Sequence, residues 1–267
     1  MYQTIGFIGT GNMGSAVAKA AAKSGLTETI LLSNRTRSKA ENLAAELPGA
    51  VRSSNEEVAR TAQLVVLGVK PQMMQLVLAP LEPIFRKRED RFVLVTMAAG
   101  LSCGRIQAML NMDCPVIRMM PNTPSALGAG VVQYCGQGVT EDELDRFAAL
   151  IAPAGLVDRV PEGLIDAASA VSGCGPAFAY LFLEALADGG VACGLPRDKA
   201  VAYAAQMLAG AAQMVLESGR HPGALKDAVC SPGGTTIQGV RTLEERGFRA
   251  AAMDAVIAAY ETTLNLR

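Results

Sequence analysis

The chain has 267 residues, half of them hydrophobic, 4% aromatic and none tryptophan, which allows one large domain or two ordinary ones with a core of Ala, Val, Leu and Met. A formal charge of −1 leaves no basic field, which argues against nucleic acid or an anionic membrane as a partner. The six cysteines are scattered, with no CxxC pair and no zinc spacing; no metal is expected, and they read as small buried hydrophobes in a reducing compartment.

The N-terminus runs directly into an apolar stretch without room for a signal peptide, and no uncharged apolar run of membrane length stands out. A soluble cytoplasmic protein is therefore expected. That first stretch, Ile5 to Gly14 (IGFIGTGNMG), is a strand running into Gly9, Gly11 and Gly14, followed by an alanine-rich helix over Ser15 to Ser24. Strand, glycine turn and helix in that order form the phosphate-binding start of a dinucleotide fold. Gly9 serves the tight turn, Gly11 the approach of a pyrophosphate, and Gly14 the close packing of helix on strand. The helix start then offers unpaired N–H groups to the phosphates.

Thr29 to Leu32 is a second buried strand, ending in Ser33-Asn34-Arg35. In this fold the second strand tip meets the adenosine ribose, where a carboxylate selects NAD(H) and an arginine can hold a 2′-phosphate. Asn34 and Arg35 stand in place of a carboxylate, so NADPH is favoured, with NADH as the alternative. The competing reading of Arg35 is an exposed side chain ahead of the next helix, Ser38 to Leu47.

Leu64 to Val69 is the third strand, followed by Lys70-Pro71, and Arg86 to Arg91 (RKREDR) reads as a solvated charged loop. Phe92 to Met97 is the fourth strand, followed by Ala98-Ala99-Gly100 and a helix ending near Leu110. Pro115 to Met119 is the fifth, followed by Pro121 to Pro124 (PNTP). Small or rigid residues at three successive strand ends suit a loop edge lying against a flat cofactor. Ala129 to Cys135 and Leu156 to Val160 can complete the sheet. The fold class is thus α/β: an N-terminal Rossmann-type, doubly wound sheet over 1–161, followed by an all-α domain over 162–267.

From Glu162 onward there is no convincing strand pattern. Pro176 can open a helix ending near Gly194, and Pro196 another ending near Gly219; Thr235 to Arg246 and Phe248 to Leu266 supply two more. Several are apolar nearly all round, and so few residues of helix cannot bury such surfaces alone. An obligate dimer is expected, the second domain of one subunit helping to build the pocket over the cofactor of its partner. Ser231-Pro232-Gly233-Gly234-Thr235-Thr236 is a glycine loop ending at a helix start. It is a candidate second anion site, suited to a substrate carboxylate; an ordinary capped turn has the same spacing.

Several stretches together resemble pyrroline-5-carboxylate reductases: FIGTGNMG, VKP (Val69 to Pro71), AAG, RMMPNTP (Arg118 to Pro124), SGCGPAF (Ser172 to Phe178), EALADGGVACGLPR (Glu184 to Arg197) and HPGALKDAVCSPGGTT. The last is the most specific. Cys174 and Phe178 depart from the serine and tyrosine more usual in the family, keeping side-chain size while losing a hydroxyl. The resemblance implies a Rossmann domain followed by a helical dimerisation domain, with dimers often assembled into a pentamer of dimers. It implies reduction of Δ1-pyrroline-5-carboxylate, a cyclic imino acid, to L-proline by hydride from NAD(P)H, the last step of proline biosynthesis. By the same resemblance, the substrate carboxylate lies on the N–H groups of Ser231 to Thr236, and the Thr236 hydroxyl bonds the ring nitrogen. Asn12 and Met13 would lie along the cofactor, while Lys70, Ala98 and Asn122 would line its ribose and nicotinamide edges.

The matched loop carries no obvious proton donor. A cyclic imine can be protonated before it reacts, so holding carbon and hydride donor in line suffices. His221, the only histidine, precedes Pro222 and reads as a helix start rather than a catalyst. Among rivals, β-hydroxyacid dehydrogenases need a lysine on a helix of the second domain, and Gly173 to Leu183 has none. A reductase of a related cyclic imine and a non-catalytic NADP(H)-binding scaffold are the other readings.

Overall fold

The structure is a computed structural model that describes residues 2–266. It divides into two compact units, the first running to Cys174 and taking in the residues from Ala259 onward, the second spanning Gly175–Ala258.

The first unit is built on one eight-stranded sheet: β1 (Tyr2–Ile8), β2 (Thr27–Ser33), β3 (Ala50–Arg52), β4 (Leu64–Leu67), β5 (Val93–Thr96), β6 (Val116–Pro121), β7 (Gly130–Gln137) and β8 (Gly155–Arg159), in spatial order 3-2-1-4-5-6-7-8. Between the strands come helices α1 (Asn12–Ser24), α2 (Arg37–Glu46), α3 (Asn55–Thr61), α4 (Met74–Leu78), α5 (Glu82–Arg86), α6 (Cys103–Leu110) and α7 (Glu141–Ile151), and α8 (Glu162–Ser172) follows β8. Successive residues of each central strand enter opposite cores. Phe7, Leu32 and Val66 pack with Val17 of α1 and Phe147 of α7, while Ile8, Leu31 and Val65 pack with Val58 of α3 and Ile106 of α6. Burial on both faces is why these strands read as continuous apolar runs.

The sheet is not parallel throughout. β7 pairs antiparallel with β6, and β8 parallel with β7, so the last two strands run against the other six. The link from Pro121 to Gly130 holds only a 3₁₀ turn, Thr123–Leu127, too short for the dozen or more residues a parallel crossover needs. α8 follows β8 into the same unit, burying Ile165, Asp166 and Ala170. Compactness therefore extends past the boundary read at residue 161.

The stretch Arg86 to Arg91 is not simply a solvated loop. The Arg88 guanidinium is only 3% exposed; it donates to the Ala59 and Ala62 carbonyls at 3.0 and 2.7 Å and lies 4.6 Å over the Phe92 ring. Helix C-terminal carbonyls need donors, and the arginine supplies them for α3. Arg91 reaches Glu143, the third residue of α7, at 2.5 Å, and Glu143 also closes a capping box with Thr140. The Arg91 bond, outweighing burial and helped by the Thr140 N–H, lowers the Glu143 pKa from an ordinary 4.5 to about 2. A depressed folded-state pKa stabilises the fold above the unfolded value, and this is lost as pH falls through the folded one. Between pH 4.5 and 2, the urea midpoint of the wild type should therefore fall further than that of Glu143→Gln; parallel curves would deny the pair this role.

The second unit contains α9 (Gly175–Ala192), α10 (Arg197–Ser218), α11 (Pro222–Ala228), α12 (Thr235–Glu245) and the start of α13 (Phe248–Leu264). α10 stops where Gly219 takes the left-handed conformation and returns its N–H to Val215. Small residues let α9 and α10 approach closely, Gly190 facing Ala200. In a single chain Tyr180, Leu181, Leu216 and Met253 are all more than 60% exposed, a larger apolar surface than a monomer ordinarily presents. One correction concerns hydropathy. The helical stretch Glu162–Ala192, 31 residues long, contains an 18-residue window with mean hydropathy 1.4 and so has the length and composition to cross a membrane. A second correction concerns the cysteines: Cys103, Cys114 and Cys135 are buried, but Cys174 and Cys230 are half-buried and Cys193 is exposed.

Candidate active site

At the end of β1 three backbones meet without side chains between them. Gly9 has φ +101°, a conformation L side chains rarely adopt, and a Cβ there would stand 2.6 Å from the Gly68 carbonyl oxygen. A Cβ on Gly14 would come within 2.2 Å of the Gly9 carbonyl oxygen, and one on Gly68 within 2.3 Å of the same atom. Helix α1 can therefore start hard against β1 and β4. Gly11, its N-cap, is different: a Cβ there meets nothing within 4 Å, so the space over the helix start is open. Asn12 is exposed beside it and Met13 half-buried. No side chain caps the helix, leaving its first N–H groups for an anion.

Sequence reasoning passed over Thr10. Its side-chain hydroxyl is buried and has no hydrogen-bond partner, and its N–H donates to Asn34 Oδ1 at 3.1 Å. A buried orphan hydroxyl inside the glycine turn, beside open space and free N–H groups, fits a bound pyrophosphate. The only signal for it in the sequence is a hydroxyl between two fingerprint glycines.

The tip of β2 divides its labour. Ser33 is buried and donates to Asn55 Oδ1 at 2.6 Å. Asn34 braces the glycine turn through Thr10 and donates to the Thr36 carbonyl at 3.0 Å. Arg35 is exposed and has no acidic partner among the described residues, whereas Arg37 nearby is paired with Glu41 at 2.7 Å. Arg35 is the cation at this tip left for a ligand.

The remaining strand ends lie along one sheet edge. Val69 and Pro71 are half-buried and Lys70 exposed after β4, with Pro71 opening a 3₁₀ turn. After β5, Ala98 is buried and Ala99 half-buried; Gly100 takes φ +73°, and a Cβ there would lie 3.1 Å from Leu266 Cβ. Asn122, at the end of β6, is buried with its side chain committed inside the protein. It donates to the Ser172 carbonyl at 3.0 Å and accepts from the Val131 N–H at 2.9 Å. Its amide thus ties β6 to β7 and to the end of α8.

The second glycine loop lies in the second unit. Ser231, Pro232 and Gly233 are exposed, Gly233 with φ +69°. The Gly234 N–H closes the turn onto the Ser231 carbonyl at 3.0 Å, and Gly234 is the N-cap of α12, with no side chain to cap it. Thr235 and Thr236 are the first residues of that helix, both exposed. Uncapped N–H groups with a hydroxyl beside them can take a carboxylate and one further polar atom. His221 is the N-cap of α11, its Nδ1 accepting from the Gly223 N–H at 3.0 Å, a capping role that explains its position before Pro222.

Comparison with known proteins adds the following. Residues 162–266 match the family model for pyrroline-5-carboxylate reductase dimerisation, and residues 4–100 match that for NADP oxidoreductase, coenzyme F420-dependent. A pyrroline-5-carboxylate reductase of Pisum sativum is 42% identical over 265 residues, covering 98% of this chain and 96% of the relative. A crystal structure of Plasmodium falciparum pyrroline carboxylate reductase with NADP bound is similar at TM-score 0.85 and 32% identity, covering 99% of this chain and 98% of that one. The Coxiella burnetii pyrroline-5-carboxylate reductase structure gives TM-score 0.88 at 31% identity, with 98% and 97% coverage.

Proposed function

The chain belongs to the pyrroline-5-carboxylate reductase family, and on that premise we infer that it reduces Δ1-pyrroline-5-carboxylate to L-proline with NADPH as the preferred donor. The observation that carries the substrate reading is the exposed Ser231–Thr236 loop, whose uncapped helix start stands apart in sequence from the dinucleotide loop. The starts of α1 and α12, each with a glycine N-cap, suit two anions, a pyrophosphate and a carboxylate. When bound, the nicotinamide supplies the hydride for the ring C=N carbon. The protein's own part is binding and orientation. The Gly9–Gly14 turn would hold the pyrophosphate on the N–H groups of α1. Arg35 takes the 2′-phosphate. The N–H groups at the start of α12 hold the substrate carboxylate, and the Thr236 hydroxyl bonds the ring nitrogen. No side chain need deliver a proton to the ring nitrogen during the step, because a cyclic imine can be protonated before it reacts and the iminium is already a good hydride acceptor; alignment is the main contribution.

The matched dimerisation region gives self-association. A dimer is the proposed working unit, and a pentamer of dimers the proposed larger assembly.

The test is oxidation of NADPH and NADH with pyrroline-5-carboxylate, its six-membered homologue and a panel of 3-hydroxyacids. Pyrroline-5-carboxylate with NADPH should give the highest kcat/KM. Arg35→Ala should lose about 1.5–3 kcal/mol with NADPH, as expected for hydrogen bonds to a charged group, and change NADH little. Equal losses with both cofactors would make Arg35 a structural residue.

A further inference from the structure

Three ligating side chains that lie far apart in sequence converge inside the first unit. Cys103 begins α6, Cys135 lies near the end of β7, and Glu162 begins α8. Their sulfur and carboxylate oxygen atoms all lie within 4.8 Å of one another. Cys103 is fully buried and Cys135 is 6% exposed. Glu162 is half-buried and lines a cavity of about 510 Å³ together with Gly100, Ser102, Arg105, Arg118 and Gly163. The carboxylate is not loose: Glu162 Oε1 accepts the Cys103 N–H at 2.7 Å. Two cysteines serving only as small hydrophobes would not call for a carboxylate at their sulfurs.

We propose that Cys103, Cys135 and Glu162 form a binding site for a zinc-class divalent cation, structural in role, with a water from the cavity as fourth ligand. Tetrahedral zinc with Zn–S of about 2.3 Å and Zn–O of about 2.0–2.2 Å needs ligand atoms about 3.5–3.8 Å apart, so ligand atoms within 4.8 Å of one another close on the ion by at most about 1.3 Å. Two thiolates and one carboxylate favour zinc, cobalt or iron over magnesium or calcium, which prefer all-oxygen sets. Both thiol protons leave to solvent as the metal binds. The resulting set carries one net negative charge beside Arg118, which is paired with Cys135 across β6 and β7 and whose Nε has no hydrogen-bond partner. The ion would join α6, β7 and α8 at one point.

The experiment is titration of chelator-treated full-length protein with Co²⁺, read by visible and near-ultraviolet absorption. One equivalent per chain should produce d–d bands of a tetrahedral ion together with thiolate-to-cobalt charge transfer, and Zn²⁺ should displace both. Cys135→Ser, which removes one of the two thiolates, should cut the charge-transfer band at least by half. Glu162→Gln, whose amide oxygen still accepts the Cys103 N–H, should weaken Co²⁺ at least about tenfold, the smallest loss expected when a metal site loses a member. Cys193→Ser, which alters the exposed cysteine, should leave the spectrum unchanged. Absence of charge transfer in the wild type overturns the proposal, as does a spectrum that Cys135→Ser leaves unchanged or that disappears with Cys193→Ser. If Cys135→Ser does not fold, Glu162→Gln decides, and wild-type affinity in that variant overturns the site.

Discussion

Thr236→Ala is expected to lower kcat/KM for pyrroline-5-carboxylate about tenfold to a few hundredfold, with NADPH affinity unchanged. Thr236 is the second residue of α12 and exposed, so its N–H is among those without a partner inside the helix. The preceding glycines set the turn, and alanine at 236 disturbs neither of them. The substitution therefore removes the hydroxyl and little else. A threonine hydroxyl can donate to a neutral imine nitrogen or accept from an iminium, so it orients the ring in either protonation state. Thr236→Ser keeps that capacity and should retain most activity. Because the dinucleotide turn is a separate glycine loop, the Kd for NADPH measured by fluorescence should stay at the wild-type value in both variants. Wild-type turnover by the alanine variant would remove the hydroxyl from the mechanism, while leaving the carboxylate site untouched.

The largest effect on stability should come from Asp166→Ala. Arg118 and Asp166 pair inside the first unit, 2% and 0% exposed, one on β6 and the other on α8. Removing the carboxylate strands a guanidinium in the core, a change that destabilises by about 3–5 kcal/mol where buried pairs have been broken. Arg118→Met combined with Asp166→Ala should recover much of that loss, since the pair as a whole contributes far less than the penalty of breaking it. Urea unfolding at fixed protein concentration measures both, the concentration held because association shifts apparent stability. A loss below about 1 kcal/mol in the single variant, the range of exposed pairs, would mean that water reaches Arg118.

The parts of the molecule legible in the sequence are those governed by neighbours along the chain. IGFIGTGNMG declares itself because strand, turn and helix are contiguous and Gly14 answers to the Gly9 carbonyl a few residues away. The Gly9–Gly68 approach is not local, and LVVLGV gives no hint that its glycine faces another. Helix ends at Gly219 and before Pro196 and Pro222 are visible because backbone chemistry sets them. β3, at only three residues, is too short to leave an alternating pattern, and α11 is hidden in a stretch read for its loop. Arg88 looked solvated because its neighbours are charged; the carbonyls that bury it come from α3, well upstream. The partners of the Asn122 amide lie on β7 and α8, too far along the chain for any local pattern to show them. The same distance hides Cys103, Cys135 and Glu162 from any spacing rule. In the candidate site, residue types were readable throughout, but the division between ligand-facing Arg35 and bracing Asn34 needed coordinates.

The reversal at β7 also decides where the polypeptide surfaces. Had the strand after β6 continued in the same sense, the closing helix would have travelled away from the rim that carries the glycine turns. With β7 and β8 inverted, α8 climbs instead toward that rim, and Ser172 arrives beside Asn122. One short hairpin thus acts as a switchback, and the end of α8 is pinned at that rim by two buried amides, Asn122 on the Ser172 carbonyl and Gln133 on its hydroxyl.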